Sequence, residues 1–414
     1  MNTYIYLVSI AIPIFIILIT IEAIIATKKG IKINNSADVI SSLSSGISNT
    51  TRDGIKFGIT LISYSWLVNN IALIEFENRF FIAFCAFIIQ DFAGYWIHRL
   101  NHRINILWNR HLIHHSSEEF NLSCALRQSI SNNLKFNALF LIPAALIGIP
   151  THIFILIAPI HLFMQFWYHT RLIDKMGLLE YILVTPSHHR VHHAINSEYI
   201  DKNYSQIFII WDKLFGTFKA EDKSIPPVYG ILRPTNTWNP IFINFKHLWQ
   251  IIKDAYYTKK ISDKICIWFM PTGWRPNDVK IKFPLNSIDN PYAYKKFSPK
   301  NSQLKIIWSW IQLFIAGLLM FIIFINVNEQ PKYLIYLIAI TLFLHIMSYT
   351  LLLDNNKNAF IFESFKIITI ILIFIQSKPF TFNIIYFLLI VYIIFSFLIT
   401  IYYSHFQKLK TLKL

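Results

Sequence analysis

What most limits the fold of this chain is a set of apolar runs long enough to cross a bilayer. A crossing takes about 20 predominantly apolar residues, and such runs stand at 4–27, 55–74, 78–97, 306–327, 333–353, 359–377 and 381–403. A further apolar stretch, 136–168, contains Pro143, Gly148, Pro150 and Pro159 and reads as a hairpin of two shorter helices meeting at "GIPTH". With 54% of residues hydrophobic and only 14% charged, the balance is not that of a soluble domain. The expected fold is all-α: a polytopic integral membrane protein, a transmembrane helix bundle with seven full spans and one hairpin. The first run is too long for a signal peptide, lacks a basic start and has no small-residue cleavage site after it. It reads as a retained anchor.

The formal net charge is +16, which in a soluble chain would raise nucleic acid as a partner. Here the charges sit in the connections. Lys28, Lys29, Lys32, Arg52 and Lys56 follow the first run, Arg99, Arg103, Arg110 and Arg127 follow the third, and Lys408, Lys410 and Lys413 close the chain. Turns such as "NVNEQPK" are short and poor in basic residues. The positive-inside rule then places 28–54, 98–135, 170–305, 354–358 and the C-terminus in the cytoplasm and the N-terminus outside. This holds if 136–168 enters and leaves on the same side. The basic excess is an orientation signal, helped by anionic headgroups, and no nucleic-acid partner is expected. The three cysteines are scattered, with no CxxC pair, which argues against a disulfide framework and a cysteine-ligated zinc site.

Composition divides the chain in three. Residues 1–280 mix spans with two long polar segments and hold nearly all the histidines. Residues 281–304 are rich in Pro, Asn, Ser and Lys and read as a linker. Residues 305–414 form four closely spaced apolar helices, where the few polar residues, such as His345, Glu363 and Lys366, are expected to serve membrane packing.

Of 15 histidines, 12 lie between 98 and 193. "HRLNH" gives His98 and His102, "HLIHH" gives His111, His114 and His115, and "HRVHH" gives His189, His192 and His193. On a helix, residues three and four apart share a face, about 5–6 Å between Cβ atoms, so their imidazoles can reach one ion at about 2 Å. Eight such nitrogens exceed the needs of one ion and suit two side by side. Imidazole serves iron, zinc, copper and nickel alike, and no thiolate sits in the motifs. His98 and His102 fall at the end of the third span, at the lipid boundary, which favours an enzyme acting on a lipid. A histidine-rich metal transporter, the rival from another class, would carry its ligands nearer mid-span. Asp91 and Tyr95 share one helical stripe with His98 and His102. A carboxylate there would accept the far N–H of a ligand histidine and fix its tautomer, and an interface acid paired with an arginine is the plainer role.

The order HxxxH, HxxHH, HxxHH on membrane helices resembles the fatty acid hydroxylase / sterol desaturase superfamily of membrane di-iron oxygenases. The stretches "YWIHRLNH", "HLIHHSSEEFNLSCALRQS", "QFWYHT", "TPSHHRVHHAIN" and "DKNYSQIFIIWDKLFGTF" are most similar to its alkylglycerol monooxygenase branch, over roughly 80–280. The resemblance implies a histidine-rich di-metal site in a cytoplasmic helical cap. Its ligands would be His98, His102, His111, His114, His115, His189, His192 and His193, with His169 of "QFWYHT" as a ninth. Gln165 stands where some relatives carry another histidine. His188 falls outside the HxxHH pattern and is expected to be structural. His152 and His161 stay open, and His247, His345 and His405 are expected to play no part.

The resemblance further implies two iron ions, O2 and hydroxylation of a lipid C–H bond at the carbon next to the ether oxygen of alkylglycerol lipids. The resulting hemiacetal collapses to a fatty aldehyde and a glycerol derivative. A sterol, fatty acid or carotenoid hydroxylase or desaturase is the alternative within the superfamily. Animal members carry an acid after the second histidine of the first motif, whereas this chain has Arg103, which puts substrate and tetrahydropterin usage in question. Glu118 and Glu119 can supply an acid nearby or begin a helix. Tyr95, Trp96, Phe166, Trp167 and Tyr168 can line a lipid tunnel or form an interfacial belt. The chain has no haem-binding cytochrome domain, no Rossmann glycine fingerprint and no cysteine set for a cluster. The electron donor is therefore external, tetrahydropterin in the animal members and other donors elsewhere in the superfamily. The expected location is a bacterial inner membrane with the site facing the cytoplasm.

Overall fold

The computed structural model describes residues 3–74, 79–376 and 384–406. Lys408, Lys410 and Lys413 lie outside the described residues. Helices α1 (Thr3–Lys28), α2 (Ser36–Gly54), α3 (Tyr64–Ile71) and α4 (Arg79–Arg103) come first. They are followed by α5 (Thr151–Phe166), α6 (Pro186–His192) and α7 (Pro240–Tyr257). Four apolar helices end the series: α8 (Gln303–Asn326), α9 (Lys332–Leu353), α10 (Ala359–Gln376) and α11 (Ile384–Ile401). Strands β1 (Ile59–Thr60) and β2 (Leu134–Lys135) pair in parallel.

Among the described residues, six helices are long and apolar enough to cross a membrane: Ile5–Lys28, Phe80–Arg103, Gln303–Asn326, Lys332–Leu353, Ala359–Gln376 and Leu388–His405. The protein is a multi-pass, mainly helical membrane protein. The span expected at 55–74 does not form. Gly58, at φ 134°, breaks the run before β1, and α3 starts only where the Ser63 hydroxyl caps the Trp66 N–H at 3.2 Å. Its eight residues reach about 12 Å, against an apolar core of about 30 Å.

The polar helix α2 packs beside the apolar helices without being apolar enough to count among them. Asn35 caps it by accepting the Ala37 N–H at 3.0 Å. Asp38 in its first turn receives Arg127 Nη2 at 2.7 Å, the Ser44 hydroxyl meets Tyr349 of α9 at 2.6 Å, and Gly54 lies against the ring of Phe324 near the end of α8. Thus α2 runs along α8 and α9. Its buried residues include Val39 and Ile40 but also Ser41, Ser42, Ser44, Ser45 and Ser48, small residues that let helices approach closely. Ser44 and Ser48 donate back to the carbonyls of Ile40 and Ser44 at 2.6 and 2.8 Å. A helix shielded from lipid by other helices has no need of an apolar surface, so the hydropathy of the sequence passes over it.

The hairpin 136–168 descends through short turns, including Ile142–Leu146, bends at Gly148 and returns as α5. Ile82 and Ala86 of α4 pack with Ala144, Ile149, Ile153 and Ile157, so α5 lies beside α4. The loops that the basic residues place on one side do meet. Asn121 donates to Ile33 O at 2.8 Å, Arg171 to Lys32 O at 2.6 Å, and the Trp238 N–H to Asp354 at 2.7 Å. Segment 281–304 is tied down as well, since Tyr294 Oη and Phe297 N donate to the Glu118 carboxylate at 2.6 and 2.7 Å and Lys296 reaches Glu119 at 2.7 Å.

In the terminal helices, Lys366 and Ser396 donate to Glu363 at 2.5 and 2.6 Å. His345 donates to Gln312 O at 2.9 Å, and Tyr392 donates to the Gln312 side chain at 2.7 Å. These buried contacts knit α8, α9, α10 and α11.

Gly148 has φ +71°, and a Cβ there would sit 1.9 Å from Ile74 O. Gly177 is also left-handed, at φ +59°, with nothing within 4 Å of its Cβ position. Gly177→Ala is expected to cost about 1–2 kcal/mol, the left-handed penalty alone. Gly148→Ala, which also drives into backbone, is expected to lower the thermal unfolding midpoint in detergent by clearly more.

Candidate metal centre

The three motifs arrive on different elements. His98 and His102 are on the last turns of α4. His111 precedes the four-residue helix Leu112–His115, which holds His114 and His115. His189 and His192 are on α6, and His193 follows with helical dihedrals (φ −82°, ψ −3°). Helix α6 starts where Pro186 takes its first position and Thr185 forms a capping box with His188. That accounts for His188: its Nδ1 accepts the Thr185 N–H at 3.4 Å.

All nine predicted histidines meet, in two groups. One holds His98, His102, His111, His115 and His192, the other His114, His169, His189 and His193, with ligand atoms in each lying within 4.8 Å of one another. Neither HxxHH motif serves a single group. The i, i+4 pairs, His111 with His115 and His189 with His193, stay together. The middle histidines, His114 and His192, cross to the other group. On a helix i+3 and i+4 project about 100° apart, so one turn of chain faces two centres. The groups abut, with the rings of His115 and His193 stacked at 4.3 Å.

The hydrogen bonds fix the tautomers. His98 Nδ1 lies 2.6 Å from Tyr204 O, His192 Nδ1 2.9 Å from Lys202 O, His114 Nδ1 3.3 Å from Arg127 O and His169 Nδ1 3.3 Å from Phe166 O. A carbonyl only accepts, so each of these Nδ1 atoms donates and each Nε2 carries a bare lone pair. His114 and His169 then point two acceptors at each other, 3.3 Å apart. Two lone pairs at that distance repel, and a cation between them removes the conflict. Further Nε2 atoms converge at 2.8 Å (His98 and His111), 2.9 Å (His169 and His189) and 3.0 Å (His189 and His193). Two metal–nitrogen bonds of about 2.1 Å at right angles place their nitrogens about 3 Å apart. Buried His102 Nε2 and His192 Nε2 have no hydrogen-bond partner, so both are open to an ion.

Burial, reinforced by neighbouring imidazoles, holds His111, His115, His169, His189, His192 and His193 well below the usual histidine range. Burial pushes His114 down to about 3. The rings are neutral and ready to bind a metal at physiological pH. Among the described residues no carboxylate belongs to either group.

Asp91 does not touch a ligand histidine as expected. It accepts the N–H groups of Ile207 and Phe208 at 2.9 and 3.0 Å and Trp211 Nε1 at 2.8 Å. Its effect is one step removed, because it anchors the segment whose Tyr204 carbonyl orients His98. Tyr95 likewise lies off the ligands, its hydroxyl between Thr217 at 3.0 Å and Arg99 at 2.9 Å. Asp212, not singled out from the sequence, accepts the N–H groups of Tyr204 and Ser205, both at 2.8 Å, and the Thr217 hydroxyl at 2.6 Å. The turn before it holds Asp201 and Asn203 at φ 60° and 55°. The signal was the run "DKN", residue types that tolerate left-handed backbone.

Arg190 of "HHRVHH" grips Glu221 at 2.7 Å and the carbonyls of Thr170 and Ile173 at 3.1 and 2.7 Å, which fixes the chain after His169. Gln165 donates to His161 Nδ1 at 2.8 Å, and His161 Nε2 lies 3.5 Å from Asp91. Neither belongs to a histidine group. His152 is exposed, and His247 bonds Asn105 O at 2.9 Å. Among the aromatics, Tyr168 packs on His189 at 4.3 Å, whereas Phe166 stacks on Phe15 of α1 at 4.3 Å.

The sequence profile of the family described as Fatty acid hydroxylase matches residues 83–217, a stretch that contains all nine histidines. A Homo sapiens protein named alkylglycerol monooxygenase is 34% identical over 366 residues, 88% of this chain and 81% of that protein. One of that name from Xenopus tropicalis is 37% identical over 292 residues, 70% of this chain and 64% of that protein. An ornithine lipid hydroxylase of Rhizobium tropici is 34% identical over 131 residues, 32% of this chain and 40% of that protein. No solved structure matches.

His115→Ala and His193→Ala, one from each group, are each expected to lower the metal content of the purified protein, read by plasma mass spectrometry, from two ions per chain towards one. Asp212→Asn, which loosens the turn behind His98 and His192, is expected to weaken metal affinity by about 10–100-fold. Its fold should survive, as read by circular dichroism.

Proposed function

The chain belongs to the alkylglycerol monooxygenase branch of the fatty acid hydroxylase superfamily, and from that premise we propose that it oxidises the ether bond of alkylglycerol lipids at a di-iron centre. It is a lipid monooxygenase, an oxidoreductase of the membrane. The observation that carries the metal reading is the facing pair of bare nitrogens on His114 and His169, 3.3 Å apart, inside a set of nine neutral imidazoles. Imidazole without thiolate admits iron along with zinc, copper and nickel, the family membership favours iron, and a neutral ligand set leaves the ions' positive charge to be balanced by oxygen-derived anions.

His98, His102, His111, His115 and His192 would hold one iron and His114, His169, His189 and His193 the other. When bound, the pair supplies activation of O2 with two electrons and two protons from outside the chain. The protein contributes placement and dryness. Backbone carbonyls of Tyr204, Lys202, Arg127 and Phe166 hold four rings in one tautomer. Phe120 stacks on His169 at 5.7 Å and Tyr168 covers His189, keeping water from the rings. Ile155, Leu156, Ile160 and Phe163 of α5 are exposed apolar residues on the helix that ends just before His169. They offer an alkyl chain a path from the bilayer to the site.

Insertion of one oxygen at the carbon beside the ether oxygen gives a hemiacetal, with the second oxygen leaving as water. The hemiacetal releases a fatty aldehyde and a glycerol derivative without further catalysis. The basic loops gathered around the site support a cytoplasmic orientation, in a bacterial inner membrane. The electron donor is a separate molecule.

Purified protein loaded with iron and given a labelled alkylglycerol, O2 and reductant is expected to release the fatty aldehyde, with His114→Ala inactive. Intact ether lipid beside newly hydroxylated fatty acids or sterols would move the assignment to another branch of the superfamily.

A further inference from the structure

Residues 207–215 lie beside a membrane span without forming one. Their rings meet α4 at Phe208 with Phe87 (6.1 Å), Trp211 with Phe92 (5.0 Å) and Phe215 with Trp96 (5.1 Å). Phe87 to Trp96 covers about 14 Å of helix, all of it inside the apolar run Phe80–Arg103. The turn Gly177–Tyr181 is held against this stretch, since Ile209 N donates to Ile182 O at 3.0 Å and Val184 N to Ile207 O at 2.7 Å. Together the two segments expose Leu178 (84%), Leu179, Tyr181 (68%), Ile182, Ile210 and Leu214 (67%). A single exposed apolar side chain is ordinary, whereas several on two bonded segments mark a surface that meets a partner.

Backbone outside a regular helix can enter lipid only where protein groups satisfy it. Here they do. The N–H groups of Ile207 and Phe208 and the Trp211 indole go to Asp91, and Lys213 Nζ donates to the carbonyls of Tyr181 and Glu180 at 2.9 and 3.3 Å. The flanking chain, Lys175 before the turn and residues 219–223 after the stretch, lines a cleft of about 470 Å³. Arg190 already meets Glu221 there at 2.7 Å, which leaves Lys175, Lys219 and Lys223 facing Asp222.

We propose that the two segments form a ledge inserted in the bilayer leaflet beside α4, with Lys175, Lys219 and Lys223 holding the phosphate groups of anionic lipids at its edge. The occupant is lipid because the ledge adjoins a span that is itself in lipid, and because a basic edge matches anionic headgroups. Asp91 then has a reason to stand in a span: it takes the N–H groups that lipid cannot. The ledge runs into Thr185 and α6 on one side and contains Asp212 on the other, so its contact with the bilayer sets the histidine site at the lipid surface. The ledge is independent of the oxygenase reading, and its test needs no turnover.

The test uses the full chain in nanodiscs, with Cys266→Ser removing the exposed native thiol. Leu178→Cys, Leu214→Cys or Asp289→Cys then carries an environment-sensitive fluorophore, read against the same chain without an added cysteine. Lipids with a nitroxide on the acyl chain quench from inside the bilayer, and iodide quenches from water. In discs containing phosphatidylglycerol, the labels at 178 and 214 are expected to be quenched at least about twofold by the nitroxide lipid and shielded from iodide. The label at 289, in the polar segment, is expected to show the reverse. Replacing phosphatidylglycerol with phosphatidylcholine, or combining Lys175→Glu, Lys219→Glu and Lys223→Glu, is expected to reduce the nitroxide quenching, with metal content unchanged. Iodide quenching of the ledge labels overturns the insertion, and so does shielding from both quenchers, the mark of a second protein surface. Quenching that responds to neither lipid charge nor the lysines overturns the headgroup contact.

Discussion

The structure turns on the requirement that nine imidazoles stay neutral and aim their lone pairs inward. Desolvation keeps the proton off, and in four of the rings an N–H donated outward to a carbonyl fixes the orientation. Everything around the site serves one of those two needs. Carbonyls at Tyr204, Lys202, Arg127 and Phe166 take the outward protons. Phe120, Tyr168 and Trp108 cover the rings.

Holding carbonyls still is itself a structural task, and buried carboxylates do it. Asp212 receives the two N–H groups around Tyr204, and Asp91 receives those of Ile207 and Phe208. Asp38 of α2 holds the guanidinium of Arg127 at 2.7 Å, and Arg127 O is the acceptor for His114. Glu22 of α1 accepts the Leu122 N–H at 2.8 Å and the Thr170 hydroxyl at 2.5 Å, which fastens the first membrane helix next to His169. Acids that hydropathy alone would count as misplaced in a membrane protein are the fasteners of its histidine cluster, each with two or more donors to offset its burial.

Much of this is legible along the chain. The apolar lengths give the membrane class, and the HxxxH and HxxHH spacings pick out histidines that do gather in the fold, because one helical turn is a fixed length. The run 55–74 is apolar yet forms no span, because it contains Gly58 and a two-residue strand, whereas α2, packed against α8 and α9, buries serines that hydropathy passes over. Asp91 was placed correctly on the histidine stripe of α4 but assigned the wrong partner. Its neighbour across the packing, Ile207–Trp211, lies more than a hundred residues on.

Local spacing therefore singled out by itself eight of the nine histidines that come together, since turn geometry needs no distant partner, while His169 followed from the family resemblance. Only the tertiary structure decided how they divide. His111 with His115 and His189 with His193 stay paired, while His114 and His192 exchange groups, because the 100° step from i+3 to i+4 matters only once two turns face each other. The same folding brought the Asp201–Tyr204 turn behind His98, His102 and His192. A hydrogen bond across 106 residues is a fact of packing and leaves no period in the sequence.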